Sequence, residues 1–286
     1  MPIVFALLTA FFFAMAALSA QRGLHLQPTP WGVWITLITN CAFLWTAHLW
    51  LEPDAPLWIR ANLLFVLIGL FVPGVARMLV FRGIRKIGSS ITSTIEGSSP
   101  MFSTLLAMTF LGEQPVPVVL SGIALIVGGL MTLSWAGERR SWKRIELLYP
   151  LLASFLFAVK DVLARWGLVM TGFPILAAAI AALTATIEVF LIVRFVQNGP
   201  FSAPRRDALL WFLISGLFTG ASFLCMFSAL HLERVSIVAP IVNSHMVFIV
   251  LLAPLINRGI ELVSPRKILG AALVVLGIFL VSFGRQ

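Results

Sequence analysis

The chain has 286 residues, of which 60% are hydrophobic and 11% charged, with a mean hydropathy of +1.02 and a formal net charge of +9. A soluble domain is about 25% charged, so these residues cannot cover a globule with solvated surface, and its solvent must be mainly lipid. The basic residues are scattered through short connections rather than gathered on one face, which argues against a nucleic-acid partner and for a role in membrane orientation.

A helix crossing roughly 30 Å of hydrocarbon needs about 20 apolar residues. In chain order, ten stretches qualify: 3–21, 31–50, 61–81, 89–111, 117–136, 147–168, 174–196, 208–230, 235–256 and 265–284. Lipid offers no partner to an unpaired backbone amide, so each is expected to be helical. Turn chemistry separates them, at Pro28 and Pro30, Pro53 and Pro56, Pro115 and Pro117, Gly172 and Pro174, Pro200 and Pro204, and Pro265. The first run follows no basic n-region, so it reads as a retained span rather than a cleaved signal peptide. Cys41 and Cys225 lie within apolar runs and read as small buried hydrophobes; no metal-binding cluster, phosphate-binding loop or cofactor motif is apparent.

The odd-numbered connections carry Arg22; Arg82, Arg85 and Lys86; Arg139, Arg140, Lys143 and Arg144; Arg194, Arg205 and Arg206; and Arg258, Arg266 and Lys267. The even-numbered ones and the C-terminal tail carry only Arg60, Arg234 and Arg285. Excess Lys and Arg mark the cytoplasmic side, which places both termini outside a cell (bacterial inner) membrane. Trp31, Trp34, Trp50, Trp58, Trp135, Trp142 and Trp211 fall near span ends, as an interfacial aromatic belt requires.

The chain is also written twice. Phe13 to Leu24 returns as Phe157 to Leu168, and Pro30 as Pro174. Gly74, Phe81 and Ile91 answer to Gly220, Phe227 and Ile237, while Glu113, Pro117, Gly122 and Gly129 answer to Glu261, Pro265, Gly270 and Gly277. The repeats are placed at 1–137 and 138–286. Five spans is an odd number, so the second repeat must be inverted relative to the first. The expected fold is an all-α membrane protein of about ten transmembrane helices in two inverted five-helix repeats, with a site near the midplane between them and alternating access to it. Gly122 with Gly129, and Gly270 with Gly277, are spaced to share one helix face and read as close packing within the monomer rather than a homodimer seam.

Residues now in view carry a family likeness. Pro100-Met101-Phe102, Leu111-Gly112-Glu113, Gly122 and Gly129 resemble the end of an EamA domain of the drug/metabolite transporter superfamily. Leu255-Ile256, Glu261, Gly270 and Gly277 are similar, although His245-Met246 stands where the first repeat has Ser99-Pro100. The resemblance covers nearly the whole chain. It implies export or exchange of small metabolites such as amino acids or drugs, driven by a proton gradient or a counter-substrate, through a cavity lined by the first, third and fourth helices of each half.

Ionisable groups at depth are expensive in lipid and mark functional sites by default. Arg77 is expected either to hold an anionic group of the substrate or to pair with a neighbouring carboxylate. Glu96 shares a polar stripe with Ser89, Ser93, Pro100 and Ser103 and is a candidate to bind an amine or carry a proton. The segment Glu96-Gly97-Ser98-Ser99 stands opposite Val242-Asn243-Ser244-His245 across the repeat axis, which makes Ser99, Asn243 and His245 candidate cavity-lining residues. Lys160 and Asp161 are the deepest charges of the sixth span, where the first repeat has Ala16 and Ala17. The i,i+4 spacing of Asp161 and Arg165 suggests a structural pair, leaving Lys160 as the freer, substrate-facing group and Asp161 as a second proton-coupling candidate. Phe12, Phe13, Phe155 and Phe157 are placed to meet an apolar part of the solute. Glu113 and Glu261 read as caps at helix ends. Positive and negative groups together suit a zwitterion. The rival readings are an intramembrane enzyme, for which Ser244 beside His245 is the only suggestive pair, and a flippase for lipid-linked substrates.

Overall fold

The structure is a computed structural model that describes residues 1–27, 29, 31–72, 74–87, 92, 95–134, 144–196, 204–256 and 265–284. Among them there is no strand. The helices are α1 (Pro2–Leu26), α2 (Trp31–Leu51), α3 (Asn62–Phe71), α4 (Gly74–Ile87), α5 (Ser99–Phe110), α6 (Pro117–Ser134), α7 (Leu148–Thr171), α8 (Pro174–Leu191), α9 (Arg206–Leu232), α10 (Val235–Asn243), α11 (His245–Ile256) and α12 (Pro265–Phe283). They make ten spans. The third is α3 with α4, the fourth is the turn at Ile95 with α5, and the ninth is α10 with α11. The third runs on to Ile87, six residues beyond the expected end, because its second half is the basic, amphipathic α4 rather than an apolar rod.

Local chemistry sets the ends. Pro2, Pro100 and Pro174 occupy first-turn positions, where a missing N–H costs nothing. Gly172 ends α7 at φ +74°, a left-handed conformation that an L side chain disfavours. Glu52 reaches from the end of α2 to accept the N–H groups of Ile175 and Leu176 at 3.2 and 2.8 Å, capping α8.

Packing reveals the two-fold relation. The first span packs on the eighth and ninth, as the sixth packs on the third and fourth. The second packs on the eighth, as the seventh packs on the third. Three contacts cross the axis between equivalent spans: second with seventh, fourth with ninth, and fifth with tenth. The last is the glycine seam. A Cβ on Gly122 would meet the Gly277 carbonyl oxygen at 2.8 Å, and one on Gly129 would meet that of Gly270 at 2.7 Å. The four glycines thus face one another within one chain and bring α6 and α12 to backbone contact.

The aromatic belt is only partly as expected. Trp50 and Trp58 are exposed, but Trp31 is buried with Leu37, Val189 and Val193. It packs between the second and seventh spans instead of meeting headgroups. Trp135 and Trp142 lie outside the described residues.

Candidate functional site

The fourth and ninth spans break at equivalent points. Ser98 donates its hydroxyl to the Ile95 carbonyl at 2.6 Å, and Ser244 donates to that of Ile241 at 2.6 Å. Each serine satisfies a carbonyl three residues back, which stabilises a turn in place of continuous helix. Pro100 and Pro240 add to this by removing a backbone donor. The expected register of Glu96–Ser99 against Val242–His245 agrees with this mirrored pair of turns.

Beside the turns, the sixth span delivers Lys160 and Asp161, both buried. Lys160 Nζ lies 2.8 Å from Asp161 Oδ1, while Ser103 on α5 donates its hydroxyl to Asp161 Oδ2 at 3.0 Å. The ammonium also points a donor at Met226 Sδ on α9, 3.7 Å away. An ammonium has three donors and a thioether is a weak acceptor, so Lys160 holds hydrogen-bonding capacity in reserve. His245 opens α11 within electrostatic range of Lys160. Its Nδ1 lies 3.2 Å from the Val242 carbonyl. A carbonyl only accepts, so this contact assigns the proton to Nδ1 and leaves Nε2 as an acceptor.

Phe13 on α1 closes the cluster, with ring centroids 6.0 Å from His245 and 5.7 Å from Phe223. The aromatic line continues through Phe227 to Phe65 on α3. Lys160, Asp161, Ser103, Met226, His245 and Phe13 therefore come from the first, fourth, sixth, eighth and ninth spans. Phe12 instead stacks on Phe218, and the exposed Phe155 meets the half-buried Phe102.

Asp161 does not pair with Arg165. The guanidinium of Arg165 donates to the carbonyls of Leu230 and His231 at the end of α9. Helical spacing permits the Asp161–Arg165 contact, but the carbonyls at the end of a neighbouring helix compete for the arginine, and Lys160 meets the acid instead. Lys160 is consequently the paired group, not the freer one.

The remaining candidates are placed as follows. Ser99 is buried, its hydroxyl 3.4 Å from the Ser154 carbonyl on α7. Asn243 donates to Ala239 within its own helix at 2.8 Å. Glu96 is half-buried and helical, just ahead of the Gly97–Ser98 turn that precedes α5. Arg77 lies in α4, and its side chain falls outside the described residues, as does Glu261. Sequence reasoning placed Ser103 only in the polar stripe of the fourth span and missed Met226, because a contact between distant spans leaves no local pattern. No cluster of His, Cys, Asp or Glu that could hold a metal occurs among the described residues. Ser244 and His245 are each engaged with backbone carbonyls rather than with each other.

The profile of the EamA-like transporter family matches residues 1–135 and 144–283. The chain is 33% identical over 101 residues to the chloroplastic phosphoenolpyruvate/phosphate translocator 1 of Arabidopsis thaliana, a match covering 33% of this chain and 24% of that protein. It is 31% identical over 102 residues to the triose phosphate/phosphate translocator of non-green plastids of Brassica oleracea var. botrytis, covering 33% and 25%. The match therefore spans about a quarter of each relative's length. A solved crystal structure, 15% identical, superposes with a TM-score of 0.79 over 99% of this chain and 96% of its own, which shows the fold alone.

Proposed function

This chain belongs to the EamA-like transporter family of the drug/metabolite transporter superfamily, and from that premise we propose that it exports or exchanges a small amphoteric metabolite by alternating access. It is a multi-pass membrane protein and a solute transporter, not an enzyme. The finer reading rests on one observation, the buried pair of Lys160 and Asp161 beside the paired turns. Breaking a buried ion pair by removing one partner costs about 3–5 kcal/mol, because a charge is left uncompensated. An amino-acid-like zwitterion avoids that cost. Its carboxylate takes Lys160 while its ammonium takes Asp161, and Ser103 continues to hold the second aspartate oxygen. A solute with only negative charge, like those named for the plastid relatives, would leave Asp161 unpaired unless the acid took up a proton. Asp161 and Glu96 are the groups assigned to proton coupling. Arg77, Ser99, Asn243 and His245 complete the proposed lining.

The count of basic residues supports a bacterial inner-membrane orientation with both termini outside. The test is counterflow in proteoliposomes with purified protein. Saturable accumulation of labelled zwitterionic amino acids against an internal unlabelled pool supports the reading. Exchange confined to phosphate esters would replace the substrate class, movement of lipid-linked substrates alone would favour a flippase, and absence of any counterflow would remove alternating access.

A further inference from the structure

The site above leaves unused a second set of charges, at the face where the fourth and eighth spans end. Glu113 follows α5, and its carboxylate is buried. Its two oxygens accept the backbone N–H groups of Val235 and Ser236 at 2.8 and 3.0 Å, the first residues of α10 in the opposite repeat. Arg165 of the sixth span donates to the carbonyls of Leu230 and His231, in the last turn of α9. Helix ends leave amides and carbonyls without intrahelical partners, and here each set is met by a side chain of the opposite charge. Only Glu233 and Arg234 separate α9 from α10, so the corner between the eighth and ninth spans is pinned on both flanks. Glu113 and Arg165 also attract each other across that corner.

We infer that Glu113 and Arg165 form the lock that closes the transport path on this face. Alternating access requires α10 to swing away from the end of the fourth span, on which it packs. Glu113 ties those two elements across the repeat boundary, so this face cannot part while the carboxylate holds both amides. The second repeat keeps the acid, as Glu261, but the first repeat has Gln21 in place of Arg165, so the arginine half of the lock belongs to this face. The lock holds the Glu113 face shut, which the basic-residue count makes the outer one, and opening that face must break both charge-assisted contacts. The inference rests on the alternating-access reading given above.

The test uses the full chain in proteoliposomes with a reporter thiol under the lock. Cys41 and Cys225, both free and buried, are replaced by alanine. Ser236→Cys then places a thiol at a fully buried hydroxyl that has no hydrogen-bond partner, while the capped backbone amide is untouched. With Arg165 and Glu113 intact, a membrane-impermeant maleimide should label the thiol slowly. Arg165→Gln should raise the rate roughly ten-fold, as expected for loss of a charge-assisted bond. Glu113→Gln, which keeps one acceptor oxygen, should raise it as well and decides the matter if the arginine variant fails to fold. Labelling at the parental rate in a folded variant overturns the lock. Faster labelling only from the other side of the bilayer supports the lock and reverses its face. Counterflow by the parent chain is measured in parallel. Its absence sinks the alternating-access reading, whereas normal counterflow with unchanged labelling sinks the lock alone.

Discussion

Phe212 of the eighth span presses its ring against the backbone of Gly23 in the first, so that a Cβ on Gly23 would meet its Cε1 at 2.8 Å. The second repeat does the same in reverse: a Cβ on Gly167 would meet Cζ of Phe65 at 2.7 Å. Both rings are fully buried. Gly23→Ala and Gly167→Ala should therefore lose similar stability, about 1–3 kcal/mol each, by overpacking. Thermal unfolding in detergent reads this directly. A loss confined to one variant would mean that the two contacts are not equivalent.

The glycine seam makes a sharper contrast between neighbours. Gly129 faces the Gly270 backbone, whereas a Cβ on Gly128 would meet nothing within 4 Å. Gly128 lies on an open apolar groove of about 410 Å³ lined by Met101, Leu105 and Met108. Gly129→Ala should destabilise the fold by about 1–3 kcal/mol, while Gly128→Ala should be neutral or slightly stabilising because alanine is the better helix former. The same unfolding assay checks both, and equal effects would remove the seam as a packing device.

At the buried pair, stability and transport should come apart. Asp161→Asn alone leaves the Lys160 ammonium uncompensated and should cost about 3–5 kcal/mol. Combining it with Lys160→Met should recover most of that stability without recovering transport. Counterflow retained by the double variant would show that the pair is structural only.

Arg77→Ala and Glu96→Gln should each reduce transport at least several-fold while the protein still reaches the membrane. Flux normalised to membrane-inserted protein is the measurement, and normal flux in both variants would remove these residues from the site.

The orientation makes a separate prediction. A tag at the C-terminus should be reached by antibody or protease added to intact cells. Protection of the tag until the cells are opened would place both termini inside.

What was legible in the chain, and what was not, follows from the range of the interactions. The ten spans were readable because each is a local property of some 20 consecutive residues. The inverted repeat was readable because Gly23, Gly129 and their partners recur in register. The paired turns at Ser98 and Ser244 are nearly so, since the repeat register alone sets Glu96–Ser99 against Val242–His245. Failures occurred where partners lie far apart in sequence. The i,i+4 rule favours Asp161 with Arg165, yet it is blind to the Leu230 and His231 carbonyls that take the arginine. The position of Glu113 predicts a cap, but not that it caps a helix more than a hundred residues away in the other repeat. Ser103 drew attention as part of a stripe, and only the fold shows which carboxylate it serves.

The mirrored turns carry a mechanical consequence. A duplicated chain carries the same joint at Ser98 and at Ser244, and bending at one would give the shape that a two-fold rotation makes of bending at the other, in everything but the side chains. A perfectly symmetric machine of this kind would have no preferred stroke. Lysine and aspartate at positions 160 and 161, where the other copy has two alanines, break the tie, so whatever bias the carrier has between filling and emptying must originate in the residues by which its two copies have diverged.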